Sequence, residues 1–268
     1  MSTLLQVGAG SGGMVVLDLV CREPSVRRIV LLEPDVYKSH NVHRHYFGIE
    51  QVGRRKIDLA AEWIKQFRPD LEVVALAVDL LDPERQSEID AAVAGCDLGV
   101  CAVDNEPAKY HFDALMRKHA KPWTLGEVLS GGIGGWVHTF RPNEACYGCV
   151  ASHLQRTVTT DNSPPPDYAN ANGPIAETTI PAPKTSINVI ASLHASLSLS
   201  MLAGSVPEFN SLLLPLAKVD GVFAEALRPF RFRIPRSPEC LICGAHFAPA
   251  GEELDVALDQ ALARLGHD

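Results

Sequence analysis

The tightest constraint on this chain is a run of glycines set between an apolar strand and an apolar helix. Leu4, Leu5 and Val7 lead into Gly8-Ala9-Gly10-Ser11-Gly12-Gly13. Met14 to Arg22 continues as an apolar segment that Glu23-Pro24-Ser25 breaks, and Arg28 to Glu33 is a second apolar run ending on a carboxylate. The order is strand, tight turn, helix, strand. Gly8, Gly10 and Gly13 fit the G-x-G-x-x-G spacing, and Glu33 follows about 20 residues later, where a carboxylate can reach a ribose. Glycines let the backbone approach a phosphate, and the helix that follows offers unpaired N–H groups and a positive dipole end. The pattern predicts a nucleotide site. The alternative is a glycine-rich turn that packs tightly and binds nothing.

The same alternation continues downstream. Residues 54–67 carry Ile57, Ala60, Ala61, Ile64 and Phe67 on one helical face. A strand is expected at 71–78. A helix is expected at 83–93, with Asp82 as cap and Pro83 in first position. The nearly all-apolar run Asp97 to Val103 reads as a strand buried on both faces, followed by a helix at 106–119. Such a run of βα units predicts an α/β fold, a Rossmann-like doubly wound, mostly parallel sheet. Pro34 to Gly48 is polar, aromatic and irregular, and it leaves the carboxyl end of the second strand, the edge where open α/β sheets bind ligands.

After Lys121 the character changes to a mixed, antiparallel extension. Short strands are expected at 123–125, 136–140 and within 211–234. A small-residue helix is expected at 185–202 and an amphipathic one at 252–265, with Leu254, Leu258, Leu262 and Leu265 on one side. Between them, residues 156–183 are rich in Pro, Asn, Thr and Asp and read as a long crossing segment.

A net charge of −8 argues against a nucleic-acid binder driven by phosphate contacts. No apolar run is expected to reach membrane-spanning length, and no signal peptide is recognised. Four of the seven cysteines fall in two C-x-x-C pairs, Cys146/Cys149 and Cys240/Cys243. Two such pairs predict a closed, tetrahedral structural zinc site, here stapling parts of the chain about 90 residues apart; the alternative is two unrelated turns with free thiols. Cys21, Cys96 and Cys101 sit in apolar segments and read as packing thiols. The pattern suits a reducing, cytoplasmic setting and not a disulfide framework.

Two polar sets carry chemistry. Asn41 and Arg44 lie just past Glu33, and Lys56 follows Gly53; cations near a phosphate turn would neutralise a triphosphate. The alternative is a solvated basic face, since Arg54 and Arg55 adjoin Lys56. Asp104-Asn105 directly follows the buried strand, where a carboxylate suits Mg²⁺ held jointly with phosphate oxygens. The plainer reading there is a cap for the helix at 106–119 from Asn105 or Asp104, and both readings can hold at once.

Taken together these residues resemble the ThiF/MoeB/HesA-type activating enzymes of ubiquitin-like and sulfur-carrier proteins. The resemblance rests on Gly8 to Gly13, Glu33-Pro-Asp35, Asn41-Val-His-Arg44, Gly53-Arg-Arg-Lys56, Ala102-Val-Asp-Asn105, both C-x-x-C pairs and Ile180-Pro-Ala-Pro. It implies one adenylation domain over 1–268: a nucleotide-binding half at 1–150, a crossing loop at 151–185, and a C-terminal half at 186–268 that closes the zinc site. It implies that Glu33 holds the ribose and that Asn41, Arg44 and Lys56 hold the phosphates of ATP. Asp104 would bind Mg²⁺, Asn105 would line the nucleotide site, and Asp79 would line the adenine or ribose side. Arg44, Lys56 and Asp104 would be the catalytic residues. The implied reaction joins the C-terminal carboxylate of a small partner, usually ending in Gly-Gly, to AMP. A homodimer is also implied.

Two departures stand out. Met1 lies a few residues before the first strand, so the family's N-terminal helix and its arginine are expected to be missing. Residues 150–239 contain no cysteine, so adenylation is expected without a thioester formed there. Two other readings stay open. One is an NAD-dependent oxidoreductase, which Gly8 to Gly13 with Glu33 fits equally well; the other is a non-catalytic partner subunit of an activating complex.

Overall fold

The computed structural model describes residues 2–154 and 182–244. The alternating half consists of β1 (Ser2–Val7), α1 (Ser11–Cys21), β2 (Val26–Leu32), α2 (Lys56–Phe67), β3 (Glu72–Leu76), α3 (Gln86–Ala94), β4 (Leu98–Cys101), α4 (Glu106–Lys118) and β5 (Trp123–Val128). The remainder adds β6 (Gly134–Phe140), α5 (Tyr147–His153), α6 (Lys184–Leu202), β7 (Ser211–Pro215) and β8 (Phe230–Phe232). All strands join one eight-stranded sheet in the order β3-β2-β1-β4-β5-β6-β7-β8. Neighbours from β3 to β5 run parallel, and β5 to β8 run antiparallel. This is the expected fold class, a mostly parallel doubly wound sheet with an antiparallel extension.

Local differences have local causes. α1 begins at Ser11, so the last residues of the glycine turn are already helical. The expected helix at 83–93 is divided: a 3-10 turn, Pro83–Arg85, precedes α3, and Asp82 caps it by accepting the Glu84 N–H at 3.0 Å. α2 starts at Lys56 because Arg55 is held in extended backbone. Val36 bridges Arg55, and the Tyr37 N–H donates to the Arg54 carbonyl at 2.8 Å. Most of the crossing segment and the whole amphipathic helix at 252–265 lie outside the described residues.

α6 is an exception to the expectation that no apolar run reaches membrane-spanning length, since by length and composition it does. It packs on α1, β5 and β6, burying Ile187, Ile190, Ala191 and Ala195. It also carries His194 into the sheet. A Cβ on Gly126 of β5 would stand 2.6 Å from the His194 ring, so this strand position has no room for a side chain. The ring's Nε2 lies 2.9 Å from the Thr124 hydroxyl, which in turn lies 2.7 Å from that of Ser198.

β4 is buried along its whole length, as its apolar run predicts. Beside it Trp123 is stacked on Phe140 (ring centroids 4.0 Å apart) and meets Phe112 edge-on at 5.4 Å. Burial pushes the Cys21 and Cys101 thiols up to about 12 and that of Cys96 to about 11, so all three are inert packing groups at neutral pH.

Trp123→Ala is expected to cost about 3–5 kcal/mol in urea unfolding, the loss typical of truncating a fully buried aromatic. A second expectation concerns pH. Burial pulls His194 down from 6.5 to about 4. The folded chain keeps the ring neutral where the unfolded chain would protonate it, so unfolding takes up a proton in that window. Stability falls as pH drops below 6.5, and the urea midpoint at pH 5 should lie below that at pH 7. The drop should be smaller in His194→Gln.

Candidate nucleotide site and cysteine cluster

The carboxyl ends of β1, β2 and β4 meet at the glycine turn. Gly8 has φ +96°, and a Cβ there would stand 2.5 Å from the Ala102 carbonyl oxygen at the end of β4. A Cβ on Gly13 would stand 2.3 Å from the Gly8 carbonyl oxygen. Gly10 differs: nothing lies within 4 Å of its Cβ position, so the crest of the turn faces open space. Gln6, buried within β1, donates from Nε2 to the carbonyls of Gly8 at 2.9 Å and Gly13 at 2.8 Å. In the sequence Gln6 is marked only as a polar residue inside an apolar strand.

Glu33 lies buried at the end of β2. Its Oε2 accepts the Ala9 N–H at 2.6 Å and its Oε1 accepts the Asp35 N–H at 3.0 Å. Burial raises its carboxyl above the usual range while Lys56 pulls it back. The carboxylate expected at a ribose thus grips the glycine turn, and each oxygen retains further acceptor capacity.

The basic set divides. Arg54 pairs with Glu62 and Arg55 with Asp58, both among exposed side chains. Lys56 turns inward, is buried, and pairs with Asp35. Asn41 is buried and shapes its own turn: Oδ1 accepts the Lys38 N–H at 2.8 Å, and its carbonyl takes the N–H of Arg44 at 3.1 Å and of His45 at 2.8 Å. Asn41 therefore carries Arg44, which is half-buried. Lys184, at the start of α6, donates to the His45 carbonyl at 2.6 Å and brings another cation to this end of the cleft. It was not foreseen, because no local spacing ties α6 to the glycine turn.

Asp104 follows β4 at the next strand end and is exposed at the cleft. The surrounding protein still holds its carboxyl above the usual range, opposed by Lys109 and Lys56. Asn105 caps α4, its Oδ1 accepting the Ala108 N–H at 2.8 Å, so the capping alternative holds for Asn105. Asp79 stands apart, past the end of β3, where its Oδ1 accepts the Leu81 N–H at 2.9 Å. With Pro34, Ala77 and Leu81 it lines a shallow concavity. Glu33, Asp35, Lys56 and Asp104 are thus gathered in one electrostatic neighbourhood, with Asp79 at its margin.

A buried network adjoins Asp104. Lys109 donates to Glu106 at 2.7 Å and to Glu127 at 2.6 Å, and the Tyr147 hydroxyl donates to Glu106 at 2.7 Å. His138 lies 3.3 Å from Glu127. None of these long-range partners was legible from spacing.

The four expected cysteines converge. Sγ separations are 3.8 Å for Cys146–Cys149, 3.6 Å for Cys146–Cys240 and 3.4 Å for Cys149–Cys243. A tetrahedron with arms of about 2.3 Å has edges of roughly 3.8 Å, so the set has the dimensions of a zinc centre. Backbone N–H groups of Ser237 and Ile242 point at the sulfurs of Cys149 and Cys240, both at 3.4 Å, as thiolate ligands require. Gly148, inside the first pair, leaves room for the second: a Cβ there would stand 2.7 Å from Ile242.

Residues 1–242 match the ThiF family, and the chain belongs to it. It is 26% identical to a ubiquitin-like modifier-activating enzyme 5 from Culex quinquefasciatus over 154 residues, 54% of this chain and 38% of that protein. It is 24% identical to the SAMP-activating enzyme E1 of Haloferax volcanii over 259 residues, 95% of this chain and 84% of that one. The chain therefore spans well under half of the first relative and most of the second. Among solved structures, E. coli MccB with ATP superposes with a TM-score of 0.66 at 15% identity, covering 91% of this chain and 67% of MccB. MccB in complex with N-formylated MccA gives 0.68 at 15% identity over the same shares. These likenesses establish the fold.

Cys149→Ser is expected to abolish stoichiometric zinc in elemental analysis and to lower the melting temperature. Chelator treatment of the unaltered protein should do the same, because ligand binding to the folded state contributes directly to stability.

Proposed function

We propose that this chain is an ATP-dependent adenylyltransferase acting on the C-terminal carboxylate of a small ubiquitin-like or sulfur-carrier protein. One observation carries the reading: a glycine turn with an open crest at Gly10 shares its cleft with inward-facing Lys56 and exposed Asp104. An anion-binding turn, a buried cation and a carboxylate free to face a divalent cation suit a nucleoside triphosphate. A dinucleotide gives Lys56 and Asp104 no work. The relatives named as activating enzymes and the MccB structure with ATP support the same choice.

In the reaction a carboxylate oxygen of the partner's tail attacks the α-phosphorus of ATP. The bond from that phosphorus to the bridging oxygen breaks, and pyrophosphate leaves. The attacking group is already ionised, so no general base is needed, and the protein's part is positioning and charge stabilisation. Lys56 and Arg44 would neutralise phosphate oxygens. Asn41 would fix the turn that carries Arg44. The N–H groups opening α1 would meet the phosphates over Gly10. Asp104 would hold Mg²⁺, Glu33 the ribose hydroxyls, Asn105 the nearby wall and Asp79 the margin nearest the adenine. Zinc in the cysteine cluster would be structural, since its four thiolates leave no open position. Cys21, Cys96 and Cys101 are buried and their thiols raised, which supports adenylation without a thioester on this chain. Residues 1–268 would act as one adenylation domain, paired as a homodimer in the cytoplasm.

The test is ATP–pyrophosphate exchange by the zinc-loaded protein with small proteins ending in Gly-Gly. Asp104→Ala should lower exchange by about 10²–10³-fold, the usual loss for one charge-stabilising group, with zinc content and melting temperature unchanged. Exchange that survives at the unaltered rate would remove Asp104 from the site.

A further inference from the structure

His45 is a buried polar side chain at the phosphate end of the cleft, with no part in holding the nucleotide described so far. The residue is 2% exposed, and among the described residues neither ring nitrogen has a partner in full hydrogen-bond geometry. It is held firmly: Tyr37 meets it edge-on with ring centroids 5.0 Å apart, and Phe47 stacks on it at 6.1 Å. A buried imidazole with both nitrogens unpaired is costly. Such a group in a packed site calls for an explanation.

Its surroundings supply one. The Ala9 carbonyl of the glycine turn faces the ring, and Lys56, Arg44 and Lys184 lie around it. Burial, reinforced by those three cations, pulls its pKa from 6.5 to about 3, so the ring stays neutral. A neutral imidazole has one donor and one acceptor. The donor suits the Ala9 carbonyl and the acceptor suits an ammonium. The Ala9 peptide is already gripped from its other end, where Glu33 accepts its N–H at 2.6 Å. A second grip on the carbonyl would fix the whole peptide unit that precedes Gly10.

We propose that His45 is a positioning residue: with nucleotide bound, its ring joins the Ala9 carbonyl of the glycine turn to the ammonium of Lys56. It touches no reacting atom. It sets the distance between the N–H groups of the turn and the lysine that shares the phosphates with them. The inference rests on the adenylation reading only in taking ATP as the ligand of this cleft.

The experiment measures ATP affinity by calorimetry in the zinc-loaded full chain. His45→Gln, which keeps a donor and an acceptor, should bind within about threefold of the unaltered protein. His45→Phe, which keeps the packing against Tyr37 and Phe47 but no polar atom, should bind about tenfold more weakly, the size of one lost charge-assisted bond. In a double-mutant cycle, Lys56→Met and Lys56→Met/His45→Phe should bind alike, because the ring acts through the lysine. A folded His45→Phe that binds as tightly as the unaltered protein, or strictly additive losses in the cycle, would overturn the proposal. The imidazole ¹⁵N resonances of the unaltered protein give a reading that needs no variant. They should show a neutral ring whose shifts move on ATP addition, and shifts unchanged at saturation would refute the link. If the unaltered protein binds no ATP, the adenylation reading fails and this inference with it; if it binds and only the His45 results fail, the reading stands without it.

Discussion

Two backbone contacts govern the carboxyl edge of the sheet: Gly8 against the Ala102 carbonyl and Gly13 against the Gly8 carbonyl. Any side chain at either position would drive β1 away from β4 or α1 away from the turn. Because both are bare, the chain reverses within a few residues, and α1 starts with its N–H groups directed over the strand ends. Gln6 pins the same two glycines from below, and Glu33 holds Ala9 between them. The turn is therefore fixed by β1, β2 and β4 together. That fixity has a functional consequence on the adenylation reading, since N–H groups that need no reorganisation stabilise developing charge most effectively.

The cysteine cluster does the corresponding work for the antiparallel extension. The antiparallel extension ends in β8, a three-residue strand in which only Phe232 is partly buried and which contributes little by itself. The segment beyond it is tied back by Cys240 and Cys243 onto Cys146 and Cys149, at the start of α5. Arg117 of α4 adds a bond to the Ile242 carbonyl at 3.0 Å, and Arg236 donates to the Cys243 carbonyl. Zinc held by these four thiolates would add its binding free energy to the folded state alone, which would offset the little that a short β8 contributes.

What was legible in the sequence follows from how locally each feature is encoded. The βα alternation, the glycine spacing and the C-x-x-C pairs are periodic or short-range, and they gave the sheet, the turn and the cluster. The roles of single polar residues were less legible, because they depend on partners from other strands. The sequence points Glu33 at a ribose, and nothing local in it shows that the same carboxylate also holds the Ala9 N–H of the glycine turn. Asn105 proved to be a helix cap, which its place before Glu106-Pro107 allowed. Arg54, Arg55 and Lys56 could not be separated by type. Only the bridge between Val36 and Arg55 decides that the first two face solvent and the third faces inward. Gln6, Lys109 and Lys184 were missed for the same reason. Each is a polar residue whose partners lie far away in sequence or on another element.

The buried cations show how a chain of net charge −8 can keep an anion-binding cleft. Lys109 sits between Glu106 and Glu127 and is compensated twice over, so it serves the wall of the site. Lys56 pairs with Asp35, whose side chain is 19% exposed. Removing one partner of a buried pair leaves an uncompensated charge, which is strongly destabilising. On the adenylation reading a phosphate that takes the Lys56 ammonium replaces one anion with another, and Asp35 can turn toward water. No charge is then left bare in the protein at any stage. The excess acidity of the rest of the surface does not oppose this, because low-dielectric cleft walls concentrate the local field of the cations where the phosphates enter.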